Sequence, residues 1–206
     1  SWHHSGFALA RELGIEAFSS PFDKTATDFL EEFDPPAYKI ASLEIVDLPL
    51  ITYVASKGRP VIISAGTANA AEVCAAVEAA RQGGASDVVV LQCTSSYPAE
   101  PRDANLRTIP ALAAQLDVAV GLSDHTMGIG VSIAAVALGA RVIEKHFTLS
   151  RSDGGVDSAF SLEPTELAEL VTEARNAFVA LGSPRTNAHT AEAESLRLRR
   201  SLYVAT

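Results

Sequence analysis

Residues 119–148 read AVGLSDHTMGIGVSIAAVALGARVIEKHFT, a stretch in which two short apolar runs flank a segment with helical spacing. We predict strands at 119–124 and 141–148, with a helical crossover between them. Four further apolar runs continue the pattern and predict strands at 16–22, 37–42, 60–66 and 87–95. Runs such as VIIS and VVVL are continuously apolar, which is typical of parallel strands covered on both faces. Alternating strands and helices predict a parallel sheet with right-handed crossovers.

The helices carry their own start and stop signals. Asn69 followed by Glu72 predicts a capping box for a helix over 69–81, and glycines just beyond it predict its end. A last helix is predicted to begin at Pro164, to carry an apolar stripe and to end at Gly182.

Two parallel architectures compete for this pattern, an open doubly wound sheet and a (β/α)8 TIM barrel. The doubly wound sheet needs a G-x-G-x-x-G turn after its first strand, and the sequence has none there. Polar residues instead follow one strand after another, as in a barrel whose site is built at the C-terminal ends of its strands. The strings are SSPFD, KIAS, ISAG, CTSSYP, SDHT and EKHFT. We therefore predict an α/β barrel.

The length limits how much of a barrel is present. A barrel uses roughly 30 residues for each β/α unit, so 206 residues hold only six or seven units. We predict an incomplete barrel over residues 1–182. The polar stretch that follows predicts a linker over 183–206, whose last residues resemble the opening of another β element.

Composition narrows the class of protein. The chain has 16 Lys and Arg against 25 Asp and Glu, which gives a net charge of −9. Its 48% hydrophobic residues, with only 20% charged residues, exclude a disordered chain. This acidic balance argues against nucleic-acid and anionic-membrane partners, and no apolar run is long enough to span a bilayer. Two cysteines do not make a disulfide framework. We therefore expect a cytoplasmic protein.

His125 and His146 are the first candidate site residues. Each stands at the end of a predicted strand, in successive β/α units, so both should reach the same mouth of the barrel. Two neutral imidazoles suit a divalent transition metal and leave positions open for water and substrate oxygens. The alternative is that each histidine caps a helix or bonds a backbone group.

Side chains alternate between the two faces of a strand, so each neighbour of these histidines can be assigned to one face. Ser123 should share a face with His125, and Glu144 a face with His146, which leaves Asp124 and Lys145 on the opposite face. Asp124 is then either a partner behind the ligands or a helix cap. Glu144 either orients a ligand or belongs to an ion pair.

Lys39 is the second feature, because a lysine within a strand is costly unless an anion meets it. It suits two functions: holding a phosphate or carboxylate, or forming a Schiff base. The alternative is a lysine whose stem lies along the wall with its ammonium in water. Serines recur at the same level after four strands, which favours an oxyanion site. They are Ser42, Ser64, Ser95 and Ser123.

Two further residues have weaker signals. Asp157 lies in a loop opened by two glycines and is a candidate acceptor for a polyhydroxyl substrate, or an ordinary turn aspartate. Cys93 falls near the predicted site, but no histidine or aspartate stands beside it in sequence. We therefore interpret Cys93 as a buried structural thiol.

Several long motifs in this chain resemble the sialic acid synthase family. They are YKIASLEIVDLPLI, VIISAG, LQCTSSYP with DANLRTIP, VGLSDHT and VIEKHFTLSRS. Within the family, GGVDSAFSLEP and ASLEIVDLPLI are most similar to pseudaminic acid synthases. The resemblance implies a TIM barrel followed by a small antifreeze-like domain. It also implies that this chain carries barrel units three to eight and is an internal piece of a longer homodimeric enzyme.

The resemblance also implies roles for residues. His125 and His146 match ligands of a divalent metal, usually Mn²⁺, with Mg²⁺ or Co²⁺ as alternatives. The residues that hold phosphoenolpyruvate in the family match Lys39, Ser42, Ser64 and Ser123. In some relatives an asparagine stands at the position of Ser95. The remaining matches lie near the sugar or the reacting centre: Glu44, Tyr97 and Asp157.

The implied reaction is a condensation of phosphoenolpyruvate with the aldehyde of an acetamido-hexose, giving a nonulosonic acid and phosphate. Pseudaminic acid is the expected product, and N-acetylneuraminate is the alternative. Two other functions stay open at this point: a Schiff-base aldolase that uses Lys39 or Lys145, and a silent chain that only binds ligand or partner chains.

Overall fold

A computed structural model describes residues 2–198 and contains five parallel strands. They are β1 (Tyr38–Ile40), β2 (Val61–Ser64), β3 (Val88–Cys93), β4 (Ala119–Asp124) and β5 (Ile143–Lys145). Each strand pairs with the next one in sequence, in the order β1-β2-β3-β4-β5. This order has no switch point, so the doubly wound alternative is wrong and the sheet is a parallel half-barrel.

Helices connect successive strands, and further helices precede and follow the sheet. They are α1 (Trp2–Leu13), α2 (Lys24–Glu31), α3 (Leu48–Ala55), α4 (Ala70–Gly83), α5 (Thr108–Leu116), α6 (Gly130–Ala137), α7 (Pro164–Leu181) and α8 (Ala193–Leu198). The predicted capping box of α4 is confirmed, because Asn69 accepts from backbone N–H groups while Glu72 accepts from the N–H of Asn69. Gly84 ends this helix in the left-handed region, at φ 99°.

The predicted strand at 16–22 is wrong. In the structure this segment has no regular secondary structure, and it lies beside β1 with one backbone hydrogen bond, from Lys39 N to Ser19 O at 3.3 Å. A strand needs a ladder of such bonds, and apolar content alone does not supply one. The sheet therefore has five strands within the described residues, where six were predicted.

Close packing between β4 and β5 sets the level at which their ends meet. Gly121 sits where a Cβ would lie 2.3 Å from the carbonyl oxygen of Val142, so only glycine permits this approach. The register pairs Ser123 with Glu144 and Asp124 with Lys145. Both predicted histidines consequently leave the sheet at the same height.

The C-terminal part is more exposed to solvent than the barrel. The apolar stripe of α7 is only partly covered, since Leu170 is buried while Phe178 is half exposed. Beyond it the predicted linker contains a short 3-10 helix and α8. The β element expected after residue 200 lies outside the described residues.

Between residues 2 and 198, no helix combines the length and apolar character that crossing a membrane requires.

Candidate active site

The carboxyl ends of the five strands bring together most of the predicted site residues. Because parallel strands end at the same edge of a sheet, side chains from β1 to β5 converge there. The register places Ser64 beside Leu91, and Cys93 beside Ser123. The resulting mouth has an imidazole side, formed after β4 and β5, and a serine-rich side, formed around β1, β2 and the loop after β3.

The two imidazoles face each other on one side of the mouth. Their ring centroids are 5.2 Å apart with an interplanar angle of 62°. His125 is buried, and its Nδ1 lies 3.0 Å from the carbonyl oxygen of Thr94. A carbonyl can only accept, so Nδ1 carries the proton and Nε2 keeps a free lone pair. Tyr97 packs on His125, at 4.4 Å between centroids, and Phe160 packs on His146, at 5.0 Å.

The surroundings shift the pKa values of these groups. Burial, and then the nearby charge of His125, lower the pKa of His146, which favours its neutral form. Burial alone would lower the pKa of His125, but hydrogen bonding to the Cys93 thiol and the Thr94 carbonyl raises it. Burial would likewise raise the pKa of Cys93, whereas hydrogen bonds with His125 and Ser42 lower it.

The residues present fit a metal held by two protein ligands. Within residues 2–198, no group of three or more His, Cys, Asp or Glu side chains is arranged to hold a metal ion. The nearest carboxylate to His146 is that of Asp157, with Oδ2 at 3.7 Å from Nδ1, which is longer than a hydrogen bond. Two imidazoles would leave the remaining positions to water and to substrate oxygens.

Lys39, Glu144 and Ser123 form a connected group beside the imidazoles. The Lys39 ammonium lies 3.3 Å from Oε2 of Glu144, and Ser123 donates to Oε1 at 2.6 Å. The side chain of Lys39 is 11% exposed and that of Glu144 is 40% exposed. The alternative of a lysine with its ammonium in water is therefore wrong, and of the two roles weighed for Glu144 the structure shows the ion pair.

The serine-rich side of the mouth is shaped around Gly66. A Cβ at this glycine would lie 2.3 Å from Ser95 Oγ, 2.6 Å from Ser42 Oγ and 3.1 Å from Cys93 Sγ. Ser64 is buried, and its Oγ is the only buried side-chain N or O atom in the described part of the chain that has no hydrogen-bond partner. Buried hydroxyls rarely stay unpaired without a reason, and a bound ligand is one such reason.

The other predicted site residues differ in whether they contact the rest of the site. Tyr97 and Asp157 reach the imidazole side, as described above. Glu44 lies on a 3-10 helix, Ser42–Val46, and within residues 2–198 its carboxylate makes no hydrogen bond or ion pair with another side chain. The contact of Cys93 with His125, at 4.0 Å between Sγ and Nδ1, was not predicted. Only the pairing of β3 with β4 could reveal it, because the two residues are distant in sequence.

The side chains predicted to face away from the mouth do so. Asp124 and Lys145 form a buried ion pair at 2.9 Å, with side chains 1% and 4% exposed. Asp124 also accepts from Ser132 of α6, on the outer face of the sheet. Lys145 is therefore excluded as a nucleophile in the mouth.

Comparisons with known proteins agree with this geometry. The NeuB family profile matches residues 1–186. The chain is 42% identical over 204 residues to pseudaminic acid synthase of Campylobacter jejuni, which covers 99% of this chain and 60% of that protein. It is 42% identical over 185 residues to N,N'-diacetyllegionaminic acid synthase of Legionella pneumophila, which covers 88% of this chain and 52% of that protein.

The fold matches as well as the sequence does. The crystal structure of N-acetylneuraminic acid synthetase from Leptospira borgpetersenii, in complex with citrate, superposes with a TM-score of 0.86 at 37% identity. The match covers 97% of this chain and 70% of that one. The chain thus spans about 60% of the length of the first curated relative it matches. With the profile, the sequences and the fold in agreement, this chain belongs to the NeuB family.

Proposed function

We propose that this chain carries the metal and phosphoenolpyruvate sites of a nonulosonic acid synthase, an enzyme that condenses phosphoenolpyruvate with the aldehyde of an acetamido-hexose. The observation that carries the proposal is the unpaired, buried hydroxyl of Ser64. The register of β1 and β2 pairs Lys39 with Ile62, so Ser64, two residues further along β2, lies on the same face of the sheet as Lys39. A hydroxyl and an ammonium at one sheet edge suit a carboxylate or phosphate oxygen, which accepts from both.

The anionic substrate would bind on the serine-rich side. Lys39 is held by Glu144 and so stands ready at the mouth with its charge already in place. The hydroxyls of Ser42 and Ser95 lie against Gly66 and can turn toward an oxyanion without a side chain between them. Such a local cradle is needed, because the net charge of −9 repels a polyanion at longer range.

The aldehyde would bind on the imidazole side. A divalent metal, for which Mn²⁺ is our proposal, would be held by Nε2 of His125 and by His146, and it would act as a Lewis acid toward the aldehyde oxygen. Thr94 fixes the tautomer of His125 through its carbonyl. Phe160 packs edge-on against His146, at 5.0 Å between ring centroids, and would help to keep that ring in place.

The reaction then requires two σ bonds to form, one C–C and one C–O, and the bond from C2 to the phosphate oxygen to break. Carbon C3 of phosphoenolpyruvate attacks the aldehyde carbon, water adds at C2, and the tetrahedral centre expels phosphate to leave the keto acid. Lys39 and the serine hydroxyls would bind the charge of the phosphate and carboxylate throughout. Glu144, bonded to both Lys39 and Ser123, would keep these two donors at a fixed separation.

The product is proposed to be pseudaminic acid, because the motifs of this chain and its similarity to the Campylobacter jejuni enzyme point the same way. N-acetylneuraminate and a legionaminic acid are the alternatives, given the Leptospira and Legionella relatives. A Schiff-base aldolase is less well supported, since Lys39 is engaged in an ion pair and Lys145 faces away from the mouth.

Phosphate release tests the proposal. The full chain, and the longer protein that contains it if one exists, are incubated with Mn²⁺, phosphoenolpyruvate and each acetamido sugar in turn. We expect phosphate only when both substrates are present, and none after Lys39→Met. Trapping with borohydride and a keto acid covers the alternative: a covalent adduct on Lys39 would overturn the synthase mechanism. Binding of phosphoenolpyruvate without turnover would identify a chain that only binds ligand.

A further inference from the structure

A buried ion pair, Asp124 with Lys145, lies directly before the two imidazole-bearing residues in the chain. Asp124 immediately precedes His125, and Lys145 immediately precedes His146. The two residues are register partners across β4 and β5. Their charged atoms are 2.9 Å apart, and both side chains are almost fully buried.

The contacts of this pair converge on Thr126, the residue after His125. The carboxylate of Asp124 accepts from the backbone N–H of Thr126 at 2.8 Å and from its hydroxyl at 2.7 Å. Lys145 donates to the carbonyl oxygen of Thr126 at 2.5 Å. Every polar group of Thr126 is thus bonded to one member of the pair, so the backbone on both sides of His125 is immobilised.

The same pair holds the neighbouring strand and helix. Lys145 ties β5 to the end of β4, and the backbone of His146 is fixed beyond it by a bond from Leu162 N to its carbonyl oxygen at 2.8 Å. Ser132 of α6 donates to Oδ2 of Asp124 at 2.6 Å. Both oxygens of the Asp124 carboxylate therefore bind two donors each, and none of these donors lies in the mouth.

We propose that Asp124 and Lys145 are positioning residues, which set the separation and orientation of His125 and His146 from behind the sheet. This proposal rests on the proposed function in that the two imidazoles are taken as metal ligands. The chemistry explains why a charged pair is used here. A buried pair of apolar side chains can stabilise the fold equally well, but it cannot bind three polar groups of Thr126 in one geometry.

Stability and positioning can be separated with a double variant. Lys145→Met leaves a buried carboxylate without its cation, and Asp124→Asn leaves a buried ammonium without its anion, so each single variant should be destabilised. The variant carrying both changes has no buried charge and keeps the volume of the pair. We expect its melting temperature to return most of the way to that of the unchanged chain.

Metal affinity is the first decisive measurement. Free Mn²⁺ is titrated by electron paramagnetic resonance with the full chain and with the three variants. We expect affinity to fall 10- to 100-fold in all three, including the stable double variant, which is the range found when groups that orient metal ligands are removed. Recovery of affinity together with stability in the double variant would overturn the proposal. Arg59→Met serves as the control, because its ion pair with Glu31 lies away from the mouth; it should lower stability and leave Mn²⁺ affinity unchanged.

A second measurement does not need the metal. Long-range ¹H–¹⁵N spectra report the tautomer of each imidazole, and the His125→Gln and His146→Gln variants assign the signals. We expect a single Nδ1–H tautomer for His125 in the unchanged chain and a mixture in the double variant. An unchanged tautomer would contradict the positioning role. If the unchanged chain binds no Mn²⁺ but the tautomer does mix, the metal assignment fails and the positioning role stands.

Discussion

The rings of His125 and His146 face each other at 5.2 Å between centroids, across strands joined by the register pairs of Ser123 with Glu144 and Asp124 with Lys145. This relationship brings together residues that the sequence places in separate β/α units. The two imidazoles occupy one side of the mouth, Ser42, Ser64 and Ser95 occupy the other, and Lys39 of β1 reaches across to Glu144 of β5. An aldehyde on the imidazole side and an anionic enol phosphate on the serine-rich side would therefore meet between them, which is the requirement of the proposed condensation.

Replacing either imidazole should abolish metal binding. We expect His125→Gln and His146→Gln each to weaken Mn²⁺ binding at least 100-fold and to remove phosphate release, because a single histidine ligand does not hold the ion. Calorimetric titration with Mn²⁺ measures the first effect. His189→Gln is the matched control, since His189 is exposed and caps a short 3-10 helix far along the chain. Retained Mn²⁺ affinity in His146→Gln would refute the two-ligand site.

Removing the hydroxyl of Ser64 should separate binding from stability. Because Ser64 Oγ has no partner, Ser64→Ala should leave the free energy of unfolding unchanged or raise it by up to about 1 kcal/mol. We expect the KM for phosphoenolpyruvate to rise at least tenfold. Ser132→Ala is the contrast: it removes a donor from buried Asp124, and should cost about 1–3 kcal/mol. A clear loss of stability in Ser64→Ala would show that the hydroxyl has a structural role.

A methyl group at Gly66 should disturb the serine-rich side. Its Cβ would lie within 2.6 Å of the hydroxyl oxygens of both Ser42 and Ser95, so Gly66→Ala must push them apart. We expect the KM for phosphoenolpyruvate to rise, with little change in Mn²⁺ affinity. Gly130→Ala is the control, because nothing lies within 4 Å of its Cβ position at the start of α6. Alanine there should stabilise the helix by about 0.5–1 kcal/mol. An unchanged KM in Gly66→Ala would argue against an anion on this side.

Lowering the pH should reduce the free energy of unfolding, partly through protonation of Glu31. Burial would raise the pKa of this carboxyl, but hydrogen bonds from Arg59 and Tyr38 lower it below its ordinary value. A carboxyl whose pKa is lowered in the folded state stabilises the protein above its unfolded pKa, and this contribution is lost as pH falls through the folded pKa. Glu31→Gln should therefore cost on the order of 1 kcal/mol at pH 7 and less at pH 3. Urea unfolding at the two pH values measures this, and an equal cost at both would contradict the pKa shift.

Local signals predicted two of the helices, α4 and α7, well. The capping box at Asn69 and Glu72 and the boundaries of α7 follow from interactions between residues a few positions apart, which any sequence displays directly. The strands after residue 36 were also located, and their shared polar ends placed the mouth correctly. The predicted strand at 16–22 failed because strand formation depends on a partner elsewhere in the chain.

The sequence by itself located the five strands after residue 36, and alternation determined which of their side chains face the mouth. Only the tertiary structure decided the pairings: Lys39 with Glu144, Cys93 with His125, and Asp124 with Lys145. It also left Glu44 without a partner among residues 2–198, and Ser64 buried and unpaired. The physical reason is that these contacts join different strands, so they depend on register and on how closely neighbouring strands approach. Neither quantity is encoded within a short stretch of chain.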